Sequence, residues 1–101
     1  MTEIMEKFFA PKSVAVIGAS ATAGKPGNVV IKNIRDNGFK GKLYLVNPRG
    51  GRIEGLAVCT SIEELPHGID QAIVTLPAVA APDTVRALGA RGIPAIVLAA
   101  S

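Results

Sequence analysis

The β-rich run Ser13-Val-Ala-Val-Ile17 ends directly in Gly18 and opens a turn of small residues, Gly18-Ala-Ser-Ala-Thr-Ala-Gly-Lys-Pro-Gly27. No other feature constrains the chain as strongly. A short apolar run bounded by glycine reads as a buried strand, and Pro26 suits the first turn of a helix. In the stretch that follows, Val30, Ile31 and Ile34 share one helical face while Lys32, Arg35 and Asp36 share another, and Gly38 suits the C-terminal cap. A second strand, Lys42-Leu-Tyr-Leu-Val46, stops at Asn47-Pro48. Two buried strands joined by a helix make a β-α-β crossover.

The second half repeats this logic. Gly55 to Thr60 is a third strand, and Ser61 with Glu64 forms a capping box for one helical turn. Asp70 to Leu76 is a fourth strand stopped by Pro77, Pro82 to Arg91 a helix with Val85 and Leu88 inward, and Pro94 to Ala99 a fifth strand. With 49% hydrophobic but only 4% aromatic residues, the core is aliphatic, as in layered α/β domains. The 101 residues therefore form one domain, residues 1–101, of the α/β class. The expected fold is a Rossmann-like, doubly wound parallel sheet of about five strands in the order 3-2-1-4-5. Ahead of it, Glu3 to Phe9 reads as a short helix that packs Phe8 and Phe9 on the sheet edge.

Composition narrows the partners. No run approaches the roughly 20 apolar residues of a membrane span. The single cysteine, Cys59, cannot form an internal disulfide, so a reducing, cytoplasmic setting is expected. A net charge of +3 with few aromatics makes nucleic acid a poor partner and a small anion a better one.

In an open parallel sheet, ligands bind outside the carboxyl ends of the strands. Three turns lie there. The first, Gly18 to Gly27, lets the backbone approach a phosphate at a helix N-terminus. It is not G-x-G-x-x-G, since Ala19 and Ser20 follow Gly18, and not a P-loop, since Pro26 follows Lys25. The second, Asn47 to Arg52, lacks the acid that would hold a ribose 2′-hydroxyl. Its Arg49 and Arg52 suit a phosphate carried on the ribose, so NADP and coenzyme A both qualify, unless both arginines are merely solvated. The third, Thr75 to Val79, offers apolar walls. His67 lies in a turn at the opposite end of the sheet, Cys59 reads as a core residue, and Glu63 and Glu64 diverge. No catalytic residue and no metal site is expected.

The strings Phe9-Ala-Pro-Lys-Ser-Val-Ala-Val-Ile-Gly-Ala-Ser20 and Gly41-Lys-Leu-Tyr-Leu-Val-Asn-Pro48, with Gly27 and Leu76-Pro77, closely resemble a known domain. It is the CoA-binding domain of NDP-forming acyl-CoA synthetases. This family includes the ADP-forming acetate–CoA ligases, is related to the succinyl-CoA synthetase alpha subunit, and shares the domain with some bacterial protein lysine acetyltransferases. The resemblance implies that Gly18, Ala19 and Ser20, with Lys25 to Gly27, receive the CoA phosphates. Asn47, Pro48 and Arg49 would border the adenosine, with Arg49 or Arg52 near the 3′-phosphate. Leu76 and Pro77 would line the cavity, and Ala99 to Ser101 would lie beside the pantetheine arm. It also implies a longer enzyme that converts acid, CoA and ATP into acyl-CoA, ADP and phosphate, with this chain as its N-terminal part. ATP, ADP and magnesium would then bind in ligase and ATP-grasp domains beyond this sequence. His67 does not match the family's phosphorylated histidine, so the chain alone is expected to be non-catalytic. The alternatives are an NADP-binding domain of a regulatory protein or oxidoreductase, and a purely structural interaction domain.

Overall fold

In the computed structural model, which describes residues 2–99, the elements run α1 (Thr2–Phe9), β1 (Ser13–Ile17), α2 (Pro26–Asp36), β2 (Lys42–Val46), β3 (Arg52–Ile53) and β4 (Leu56–Cys59). A 3₁₀ turn (Ile62–Glu64), β5 (Gln71–Val74), a second 3₁₀ turn (Ala78–Ala80), α3 (Ala81–Ala90) and β6 (Ala95–Leu98) follow. The sheet order is β3-β4-β2-β1-β5-β6. Its parallel part, β4-β2-β1-β5-β6, is the expected 3-2-1-4-5 arrangement.

The expectation of five strands needs one correction. β3 is a sixth strand, antiparallel to β4, with Arg52 opposite Ala57 and Ile53 opposite Leu56. Glu54 (φ 51°) and Gly55 (φ 80°) form the two-residue connection, and positive φ at both positions matches the twist of a tight hairpin. Arg52 therefore belongs to a strand, not to the turn after β2.

Alternation along β1 divides the core. Ala15 and Ile17 join Val46, Ala72, Val74, Leu65, Ile69, Ile93 and Leu88 of α3 on one face. Val16 joins Leu45, Ile53 and Ile31 of α2 on the other. Period-two side chains thus sandwich the central strand between two helical layers.

At the amino ends of the strands, α1 is tied to the sheet by polar contacts. The buried Gln71 donates through Nε2 to the carbonyls of Lys7 and Phe8 at the end of α1, where helix carbonyls lack partners of their own. Asp70 accepts from Lys7 Nζ (2.7 Å) and from the Lys12 amide (2.7 Å). The two aromatics expected to pack there do not bury: Phe8 is 40% exposed and Phe9 79%. These polar links, rather than the Phe side chains, place the helix. The capping box is also corrected. Ser61 makes no side-chain cap, and Glu64 instead accepts from the amide (2.6 Å) and hydroxyl (2.9 Å) of Thr60.

The Lys7 ammonium and the Lys12 amide hold the Asp70 carboxyl below the usual carboxylate range. Because its folded-state pKa is depressed, the unfolded chain binds the proton more readily in the window between the two values. The stabilisation is complete above the ordinary carboxylate pKa of about 4 and is lost as pH falls through the folded value. Asp70→Asn is expected to lower unfolding free energy by about 1–2 kcal/mol at pH 7, since Lys7 is partly solvated. Urea denaturation should show this difference from wild type shrinking as the pH drops below about 4.

Candidate functional site

At the carboxyl end of β1, the chain makes a close backbone contact that only glycine permits. A Cβ on Gly27 would stand 2.0 Å from the Gly18 carbonyl oxygen, and Gly18 itself has φ 92° with Thr75 Oγ1 only 2.6 Å from any added Cβ. The turn therefore folds back tightly onto the start of α2. Gly18 and Ala19 amides both donate to the Val46 carbonyl (3.1 Å each), which fastens the turn to the end of β2. Thr75 Oγ1 donates to the carbonyls of Ile17 and Gly18 from the β5 side.

The N-terminus of α2 is correspondingly open. Its N-cap, Lys25, makes no side-chain cap, Pro26 occupies the first turn, and no acidic residue lies there. The amides of Ser20 and Ala21 have no acceptor among the described residues. Such a helix end, with free N–H groups and a positive dipole, takes an anion.

The next turn is organised by Asn47. Its Nδ2 donates to the Ala19 carbonyl (2.7 Å), and its Oδ1 accepts from the Arg49 amide (2.8 Å). One side chain thus couples the two turns. Between them lies a cleft of about 380 Å³ lined by Ser20, Ala21, Thr22, Asn47, Arg49, Gly50, Arg52 and Ile53. The Arg49 guanidinium is exposed and makes no hydrogen bond among the described residues, whereas that of Arg52 donates to the Gly55 carbonyl. Of the two arginines, Arg49 has its guanidinium unengaged among the described residues.

Of the residues expected at the site, Ser20, Asn47, Arg49 and Arg52 line this cleft, and Gly18, Ala19 and Gly27 build its wall from behind. Lys25 and Pro48 are exposed on its borders and do not line it. Leu76 packs beside Gly18, while Pro77 is exposed at the start of the second 3₁₀ turn. The expected contact at Ala99 to Ser101 falls largely outside the described residues. Two contributors were missed. Asn28, only 1% exposed, donates to the Ser20 carbonyl (2.9 Å), and Thr75 braces Gly18. Each is a polar residue in an otherwise apolar stretch, a signal for a buried hydrogen bond.

Cys59 is partly buried against the α3-side core, and desolvation, then Glu64, push its thiol pKa up. His67 is exposed in a loop at the amino ends of the strands. Among the described residues, no cluster of His, Cys, Asp or Glu could hold a metal, and no helix is long and apolar enough to cross a membrane.

An α/β domain with an anion-ready helix terminus beside an arginine-bearing turn has the form of a nucleotide-binding domain. A family profile described as CoA binding domain matches residues 12–101, so the chain belongs to that family. Coenzyme A is its ligand. The chain is 42% identical over 97 residues to an ADP-forming acetate–CoA ligase II of Archaeoglobus fulgidus, covering 96% of this chain and 14% of that protein. It is 40% identical over 101 residues to the alpha subunit of an ADP-forming acetate–CoA ligase I of Pyrococcus furiosus, covering 96% and 22%. A solved dinucleotide-forming acetyl-coenzyme A synthetase 1 of Candidatus Korarchaeum cryptofilum superposes with a TM-score of 0.83 at 30% identity, covering 88% of this chain and 19% of that one. The chain thus spans less than a quarter of the length of these relatives. The NADP alternative gains no support from them.

The fit of coenzyme A can be tested on the geometry itself. A diphosphate needs close backbone approach, which Gly18 and Gly27 allow, and unpaired amides, which Ser20 and Ala21 offer. A ribose phosphate needs a cation in the neighbouring turn, which Arg49 supplies. The residues suit the ligand.

Two substitutions probe this arrangement. Asn47→Ala removes the bond between the turns and the one that holds the Arg49 amide, and is expected to cost about 1–2 kcal/mol in thermal or urea denaturation, with weaker coenzyme binding. Gly27→Ala forces a methyl group onto a backbone carbonyl and is expected to destabilise by about 1–3 kcal/mol and to abolish coenzyme binding by calorimetry. Full binding by a folded Gly27→Ala protein would show that the close contact is dispensable.

Proposed function

We propose that this chain is the N-terminal coenzyme-binding part of an ADP-forming acyl-CoA synthetase, and that it supplies recognition while other domains or subunits supply turnover. The observation that carries this reading is the uncapped, acid-free start of α2, braced by the Gly18–Gly27 contact and facing the Arg49 turn. In this reading, Gly18, Ala19 and Ser20 with Lys25, Pro26 and Gly27 cradle the diphosphate. Asn47 and Pro48 border the adenosine, Arg49 grips the 3′-phosphate with Arg52 behind it, and Leu76 and Pro77 bound the path of the pantetheine arm.

Thioester synthesis from a carboxylate requires phosphoryl transfer, hence positioned cations and a metal. The glycine turn lacks the Lys-Ser or Lys-Thr pair that holds a metal-bound triphosphate, and Glu63 and Glu64 are both solvated. The ligase and ATP-grasp domains that the family resemblance implies are the partners this division of labour requires, and a cytoplasmic setting suits the substrates.

Calorimetry with CoA and dephospho-CoA tests the reading. Arg49→Ala is expected to weaken CoA about 10- to 100-fold, the loss of one charge-assisted contact, with little effect on dephospho-CoA. Arg52→Ala should act more weakly, because its guanidinium already has a backbone partner. If Arg49→Ala leaves the CoA to dephospho-CoA ratio unchanged, the arginine is a solvated turn residue. A coupled assay of the chain alone with ATP, magnesium, CoA and short acids should yield no thioester.

A further inference from the structure

At the end of the sheet opposite the coenzyme site lies a second cleft, of about 450 Å³, lined by Lys12, Ser13, Lys40, Gly41, Lys42, Tyr44, His67, Gly68 and Ile69. Its cations are crowded by the fold. Lys42 begins β2 directly opposite Ser13, and its amide donates to the Lys12 carbonyl (3.1 Å). Gly41 makes this possible, since a Cβ there would stand 2.4 Å from that carbonyl and 2.4 Å from the Phe39 ring. The backbone is thus drawn together where the lysines cluster, although like charges repel.

The charge is only partly compensated nearby. None of Lys12, Lys40 and Lys42 forms an ion pair with a carboxylate among the described residues. Asp70, which accepts from Lys7 and from the Lys12 amide, also attracts the Lys12 charge at longer range, so the positive charge left over lies on Lys40 and Lys42. Asp36, at the end of α2, lines a separate cleft with Lys32, Arg35 and Glu54. The backbone amides of His67 and Gly68 have no acceptor among the described residues, and Tyr44 sets its ring against the core at the cleft wall.

We infer that Lys12, Lys40 and Lys42, with the His67–Gly68 turn, form a second anion site that takes the phosphoryl groups of a small polyanionic molecule. Its size is within the range of small-molecule sites, and clustered lysines bind phosphates as point charges. The site is separate from the coenzyme cleft by the full length of β1 and β2, and it does not depend on the proposed role of the chain in thioester synthesis.

Amide chemical-shift mapping of the chain with inorganic pyrophosphate tests this. The expected result is saturable shifts at Lys12, Gly41, Lys42 and Gly68. These should weaken at least about tenfold in Lys40→Gln/Lys42→Gln, the loss expected for charge-assisted contacts, while CoA affinity is unchanged. If the double variant unfolds, Lys40→Gln alone, outside any strand, serves the same purpose. Shifts confined to Ser20, Gly27 and Arg49, unchanged affinity in the variant, or no shift at these lysines would overturn the inference. So would a tetraglutamate peptide shifting the same amides where pyrophosphate does not, which would make the face a protein-docking surface.

Discussion

The contact between the Gly18 carbonyl and the α carbon of Gly27 is the constraint on which the site depends. It brings the start of α2 against the end of β1, so that the amides of the turn and the positive end of the helix point into one place. Everything else serves that approach. Val46 accepts from two successive amides, Asn47 links the turn to Arg49, Asn28 holds Ser20, and Thr75 closes the rear. With those bonds made inside the protein, few donors are left over, and the ones that remain are those a phosphate would meet.

The two ends of the same sheet carry different chemistry. At the carboxyl ends the cleft is made from backbone and small residues, with Arg49 and Arg52 in its lining. At the amino ends, Lys12, Lys40 and Lys42 gather around one cleft and produce a positive field that Asp70, paired with Lys7, relieves only in part. In the proposed readings, a phosphate at the first end would be held by geometry, and an anion at the second by charge. The first should be selective and the second sensitive to salt.

Much of this was legible in the residues. Apolar runs at Ser13–Ile17 and Lys42–Val46 and the proline after Lys25 marked the β-α-β unit, because strand and helix periodicities differ and glycine and proline punctuate them. The strand order followed from the handedness of crossovers. What escaped was set by tertiary contacts. β3 has only two residues, and its strand character comes from pairing across Glu54-Gly55 rather than from any local pattern. Phe8 and Phe9 stay exposed because Gln71 and Asp70, not the aromatics, dock α1. At the site, Arg49 and Arg52 looked equivalent in the sequence, and only the carbonyl of Gly55 distinguishes them. Asn28 and Thr75 act on backbone atoms distant in sequence, which no spacing reveals.

The central claim is that backbone amides at the start of α2 receive the coenzyme diphosphate. Titrating CoA into the isotope-labelled chain and following each amide resonance tests it most directly. The largest changes are expected at Ser20, Ala21 and Gly27, with Arg49 responding to CoA and not to dephospho-CoA. Tight binding that leaves Ser20, Ala21 and Gly27 unmoved would contradict it.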